Sequence, residues 1–105
     1  MNLQEIIKEL KENIKEKLPG ENFKVILYGS YARGKYDENS DIDILIILDS
    51  YPDTQKKDKI YEVCSSLNIK YEIWIDVSLI SKKEMDTIKG RQPFIQNALR
   101  EGITI

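Results

Sequence analysis

The chain has 105 residues, 41% hydrophobic and 32% charged, which fits a single ordinary globular domain over residues 1–105 and excludes a disordered or fibrous chain. Its 16 basic residues against 18 acidic ones argue against duplex DNA as a main partner. No histidine is present, so His-based acid–base or nucleophilic chemistry and the commonest zinc ligand are excluded. Any bound metal would be held by oxygens, as suits Mg²⁺, Mn²⁺ or Ca²⁺.

Leu3, Ile6, Ile7, Leu10, Ile14 and Leu18 recur at three- and four-residue steps, which predicts an amphipathic helix stopped by Pro19-Gly20. Charges interrupt its apolar positions, so it does not read as a signal peptide. No apolar run approaches the roughly 20 residues of a membrane span. Phe23 to Tyr28 is a short apolar run ending at Gly29, a first strand. Residues 31–40 are polar and turn-rich, with a helical turn at the start. Ile42 to Leu48 is almost unbroken in apolar character between Asp41 and Asp49, as expected of a central strand covered on both faces.

Ile60, Val63, Cys64 and Leu67 mark one face of a second long helix. Cys64 is the chain's one cysteine, so an internal disulfide is excluded. A buried apolar role for it and a cytoplasmic location follow. Lys70 to Val77 reads as a third strand with Tyr71, Ile73 and Ile75 on one face and Glu72, Trp74 and Asp76 on the other. Ser81 and Glu84 form a capping box opening a short helix that ends at Gly90. Pro93 opens a last helix that closes near Gly102, and Ile103 to Ile105 is an apolar tail expected to lie against the sheet or a partner. The expected fold is α/β (α+β), a small mixed sheet of three or four strands flanked by helices.

Asp41 and Asp43 stand two apart at the mouth of the most apolar strand, so period-two geometry points them to one face. Like charges so close repel unless a cation lies between them, and an unpaired carboxylate beside a buried strand is costly. Gly29 and Ser30 follow the first strand. There glycine permits close approach of the backbone to phosphate oxygens, and backbone N–H groups of the next helical turn, with the Ser30 hydroxyl, would face an anion. If both features serve one ligand, the first two strands run antiparallel. A third strand also antiparallel to the second would bring in Asp76, from near its end, as third carboxylate, with Glu72 as the alternative. Arg33 would reach a triphosphate, brace the loop, or simply face solvent. Two other readings fail on spacing. Gly29 to Lys35 nearly completes a phosphate loop, but Tyr36 replaces the metal-binding hydroxyl. Asp37, Asn39 and Asp41 imitate a calcium loop, but Ile42 and Leu48 stand where it needs glycine and glutamate.

Taken together, Gly29-Ser30, Arg33-Gly34 and Ser40-Asp41-Ile42-Asp43 resemble the signature of the minimal nucleotidyltransferases, small members of the DNA polymerase beta-like superfamily. The resemblance implies transfer of a nucleoside monophosphate, AMP from ATP, to a hydroxyl, with pyrophosphate leaving. It implies Asp41 and Asp43 as ligands of two Mg²⁺ ions, for which Mn²⁺ would substitute, and Gly29 and Ser30 as the triphosphate-binding pair. Arg33 and Ser40 are further nucleotide-binding candidates in the same motif. Two metals about 3.5–4 Å apart would activate the attacking oxygen and steady the leaving group, with Asp43 bridging them. Asp76 would then act as third ligand and help deprotonate the attacking hydroxyl. Larger relatives carry a further domain for the acceptor, and 105 residues leave no room for one. The resemblance therefore points to a HEPN-domain toxin as partner and to this chain as its antitoxin. The alternatives are a non-catalytic module that neutralises its partner by contact, and a small-molecule nucleotidyltransferase whose acceptor site is built by a homodimer.

Overall fold

The computed structural model describes residues 2–37 and 39–105. Asn2 caps the first helix, α1 (Leu3–Lys17), accepting a hydrogen bond from the Glu5 N–H at 3.1 Å. The apolar stripe of α1 buries Ile6, Ile7, Leu10 and Ile14. Strand β1 (Phe23–Tyr28) leads directly into a one-turn helix, α2 (Gly29–Ala32), and β2 (Ile42–Leu48) follows. Asp53 caps the long α3 (Thr54–Tyr71) through the Lys56 N–H. Then come β3 (Ile75–Ser81), a 3₁₀ turn (Lys83–Asp86), α4 (Pro93–Glu101) and the two-residue β4 (Ile103–Thr104). No helix among the described residues is long and apolar enough to cross a membrane.

The strands form one mixed sheet in the order β3-β2-β1-β4. As expected, β1 pairs antiparallel to β2, and β2 lies between β1 and β3. The apolar tail joins the sheet as β4, antiparallel to β1. Alternation sorts the strands onto two layers. Ile42, Ile44, Ile46 and Leu48 of β2 join Val25 and Leu27 of β1 against α1 and α3. Leu45, Ile47 and Ile26 meet Ile80, Ile95 and Ala98 on the α4 side. Thus β2 is covered on both faces, each buried aliphatic contributing about 1.5–3 kcal/mol by leaving water. Cys64 lies in the α1/α3 layer, and burial pushes its thiol up to about 12. The thiolate is the reactive form, so Cys64 is expected to react with thiol reagents only as fast as the chain unfolds. Labelling of native and denatured protein checks this.

Two expectations about the third strand are corrected. It runs parallel to β2, not antiparallel, with Ile42 opposite Ile75 and Leu48 opposite Ser81. The 18-residue helix α3 is the reason, since it carries the chain back to the starting end of β2 as a crossover connection does. It also begins later than Lys70: Lys70 and Tyr71 are the last residues of α3. Across the layer, Glu9 of α1 accepts from Lys70 Nζ at 2.7 Å and from the Tyr71 hydroxyl, tying down that final turn. Glu72 then reverses the chain in the left-handed conformation, φ 54° and ψ 48°. A side chain there costs about 1–2 kcal/mol, part of which glycine's flexible unfolded state takes back. Glu72→Gly is therefore expected to stabilise the fold by up to about 1 kcal/mol, a melting-point rise of about 4–8 °C at most. The capping box is present, with Glu84 accepting from the Ser81 N–H at 3.0 Å, but the turn it opens is 3₁₀ and stops at Asp86, short of Gly90.

Candidate active site

Where β1 ends and β2 and β3 begin, their polar residues share one rim. Tyr28 lies opposite Asp43, and Asp43 lies opposite Asp76. The parallel pairing delivers Asp76 from near the start of β3 rather than its end. All three positions alternate with core residues of the α1/α3 layer, so their side chains emerge on the opposite face, where Tyr28 packs against the α4-side cluster. Asp41 is exposed just before β2, in step with Asp43.

Gly29 abuts this rim. Its φ is +72°, and a Cβ built on it would stand 2.1 Å from Asp43 Oδ2. Glycine is thus required twice, by the backbone turn and by the carboxylate against it. The Gly29 carbonyl accepts from the Arg33 N–H and the Ser30 carbonyl from the Lys35 N–H, which curls the chain around α2. Partial burial, then Asp76, then Asp41 hold the Asp43 carboxyl above its usual range, and Arg33 offsets this only in part. Burial raises the Tyr28 phenol, with Asp43 and Asp76 adding to it and a hydrogen bond with Ser78 opposing it. The rim is a negative site that Arg33 compensates only in part, a charge that a divalent cation with oxygen ligands would relieve. The residues fit such an ion. Among the described residues, however, no three acidic or thiol side chains are gathered tightly enough to hold it unaided. An ion here would need oxygen ligands beyond these side chains.

The remaining candidates are placed as follows. Arg33 Nη1 stands 3.9 Å from Glu101 Oε2 of α4, both half-exposed, so it braces α2 against α4 while within electrostatic reach of Asp43. The Ser40 hydroxyl is engaged within its own loop, accepting from the Asp37 N–H at 3.0 Å. Glu72 lies away from the Asp43–Asp76 pair, lining with Asp41 and Trp74 a cleft of about 860 Å³ between the α1 N-terminus, the 36–41 loop and the α3–β3 turn. Sequence reasoning missed Tyr28 and Ser78, which flank the carboxylates. Strand parity beside Asp43 and Asp76 is the signal that could have found them.

A family model described as a nucleotidyltransferase domain matches residues 7–103. The chain is 45% identical over 87 residues, 83% of its length and 87% of the relative's, to a protein of Methanocaldococcus jannaschii named "Putative protein adenylyltransferase MJ0141". A second protein of that organism, "Putative protein adenylyltransferase MJ0604", is 39% identical over 102 residues, covering 97% of this chain and 96% of the relative. Among solved structures, one described as a toxin-antitoxin with AMP-PNP superposes with a TM-score of 0.61 at 25% identity, covering 99% of this chain and 72% of that one.

Proposed function

The chain belongs to the nucleotidyltransferase-domain family, and on that premise we propose that it is a protein adenylyltransferase moving AMP from ATP onto a side-chain hydroxyl of a partner. The observation that carries this is the rim: Asp43 and Asp76 directly opposite each other, Asp41 beside them, and Gly29 pressed against Asp43. The similarity to relatives named as protein adenylyltransferases supports a protein acceptor. The likeness to a toxin-antitoxin solved with AMP-PNP supports an adenine nucleotide and a toxin as partner, in our reading a HEPN-domain protein that this chain neutralises in the cytoplasm.

In this reading Asp41, Asp43 and Asp76 hold divalent metal, Mg²⁺ or Mn²⁺, which would polarise the reacting phosphate and lower the proton affinity of the acceptor hydroxyl. Gly29 leaves backbone N–H groups of α2 and the Ser30 hydroxyl open to the triphosphate. Arg33, freed from Glu101, adds positive charge beside the phosphates. Ser40 shapes the loop that delivers Asp41. Asp76 accepts the acceptor's proton as its oxygen bonds to the α-phosphorus and pyrophosphate departs. The test is transfer of label from α-labelled ATP to the product of the neighbouring gene, with mass spectrometry for an added AMP. Metal-dependent labelling of that protein is expected. Its absence with folded, co-purified partners would overturn the assignment.

A further inference from the structure

The cleft beside the rim has a lining unlike the triphosphate nook. Tyr36 stacks on Tyr31, ring centroids 4.3 Å apart and 12° from parallel, and forms one wall. Trp74, 61% exposed, stands among the lining residues with no buried role to explain it. Asp37, Asp41 and Glu72 also line the cleft, and no lysine or arginine does so among the described residues. Lys70 lies 5.3 Å from the centroid of the lining Tyr71 ring but is paired with Glu9. The remaining aromatic faces and carboxylates together suit a guanidinium or ammonium group. The ring faces attract it, the carboxylates pair with it, and a polyphosphate is repelled.

We propose that this cleft docks a basic segment of the protein acceptor, an arginine- or lysine-bearing stretch adjoining the hydroxyl that receives the nucleotide. The inference rests on the protein-adenylyltransferase reading and adds how the acceptor is recognised. A volume of about 860 Å³ admits a few side chains, not a folded element. Asp41 belongs to both the cleft and the carboxylate rim, so a segment seated here brings its neighbouring residues to the reacting phosphate. Glu72 and Trp74 are then positioning residues.

Trp74 is the chain's one tryptophan, and its fluorescence reports on the cleft and on the smaller pocket it lines with Asp76. Titration at low salt, without nucleotide or metal, with a short arginine–tyrosine–arginine peptide is expected to give a saturable change that fades as salt is added. A glutamate–tyrosine–glutamate peptide is expected to give none. Glu72→Lys should weaken the arginine peptide about tenfold, since an attraction becomes a repulsion, and Glu72→Gly, which keeps or improves the fold, should weaken it less. In transfer to the partner, Glu72→Lys should raise the acceptor KM and leave kcat unchanged. No response to the arginine peptide, equal responses to both peptides, or full affinity in Glu72→Lys would each overturn the proposal. Competition of Mg–ATP with the arginine peptide for its saturable binding would also do so, by placing the nucleotide in the cleft. Peptide binding is read without catalysis, so it can succeed where adenylyl transfer fails, and the two readings are separable.

Discussion

Asp43→Asn is expected to abolish nucleotidyl transfer while making the chain slightly more stable. Asp43 is the residue at which Gly29, Asp76 and Asp41 meet. Its loss should remove several kcal/mol of charge stabilisation at the reacting phosphate, at least about a thousandfold in rate. The stability change has the opposite sign. Burial, Asp76 and Asp41 raise the Asp43 carboxyl, so the folded state holds its proton more tightly than the unfolded chain does. Between the ordinary carboxylate range and that raised value, stability falls as pH rises, and the penalty is complete above it. At neutral pH the amide removes the penalty. Because the side chain is partly solvated, the gain is up to about 1 kcal/mol. Wild type and variant should converge in melting temperature as pH falls below the ordinary carboxylate range. Melting curves from pH 3 to 8 with and without the substitution check the sign, and added Mg²⁺ should raise the melting point of the wild type alone.

Gly29→Ala should damage both fold and activity. At φ +72° a Cβ costs about 1–2 kcal/mol, and its position 2.1 Å from Asp43 Oδ2 forces that carboxylate out of place. A shift near 1 Å in a reacting group costs about a hundredfold, so transfer should fall at least that far. Melting should drop by about 4–8 °C for each kcal/mol lost. Gly34→Ala is the matched control. Its φ is +70°, so the backbone penalty is alike, but nothing lies within 4 Å of the added carbon. It should lose stability and keep activity. Equal loss of activity in both variants would show that Gly29 acts only through the backbone turn.

The central strands were legible in the sequence because burial left an unmistakable pattern. Ile42 to Leu48 is apolar throughout since both of its faces are covered, and Phe23 to Tyr28 ends where Gly29 turns away. The pairing of Asp41 with Asp43 followed from period two alone. The start of β3 was not legible. Lys70 to Trp74 alternates like a strand, but contacts from Glu9, distant in sequence, hold Lys70 and Tyr71 in the helix, and a glutamate occupies the left-handed position where glycine would have announced the end. The parallel sense of β3 did have a signal, the long helix between two neighbouring strands, and the antiparallel expectation overlooked it. The ion pair of Arg33 with Glu101 joins residues far apart in the chain, and no local pattern encodes it.

The most direct test of the carboxylate rim is Mn²⁺ binding, followed by electron paramagnetic resonance, in the presence of a non-hydrolysable ATP analogue. Wild type should take up the metal–nucleotide complex, with affinity reduced at least tenfold in Asp43→Asn and in Asp76→Asn. Undiminished binding by both folded variants would mean that metal and nucleotide sit elsewhere on the molecule.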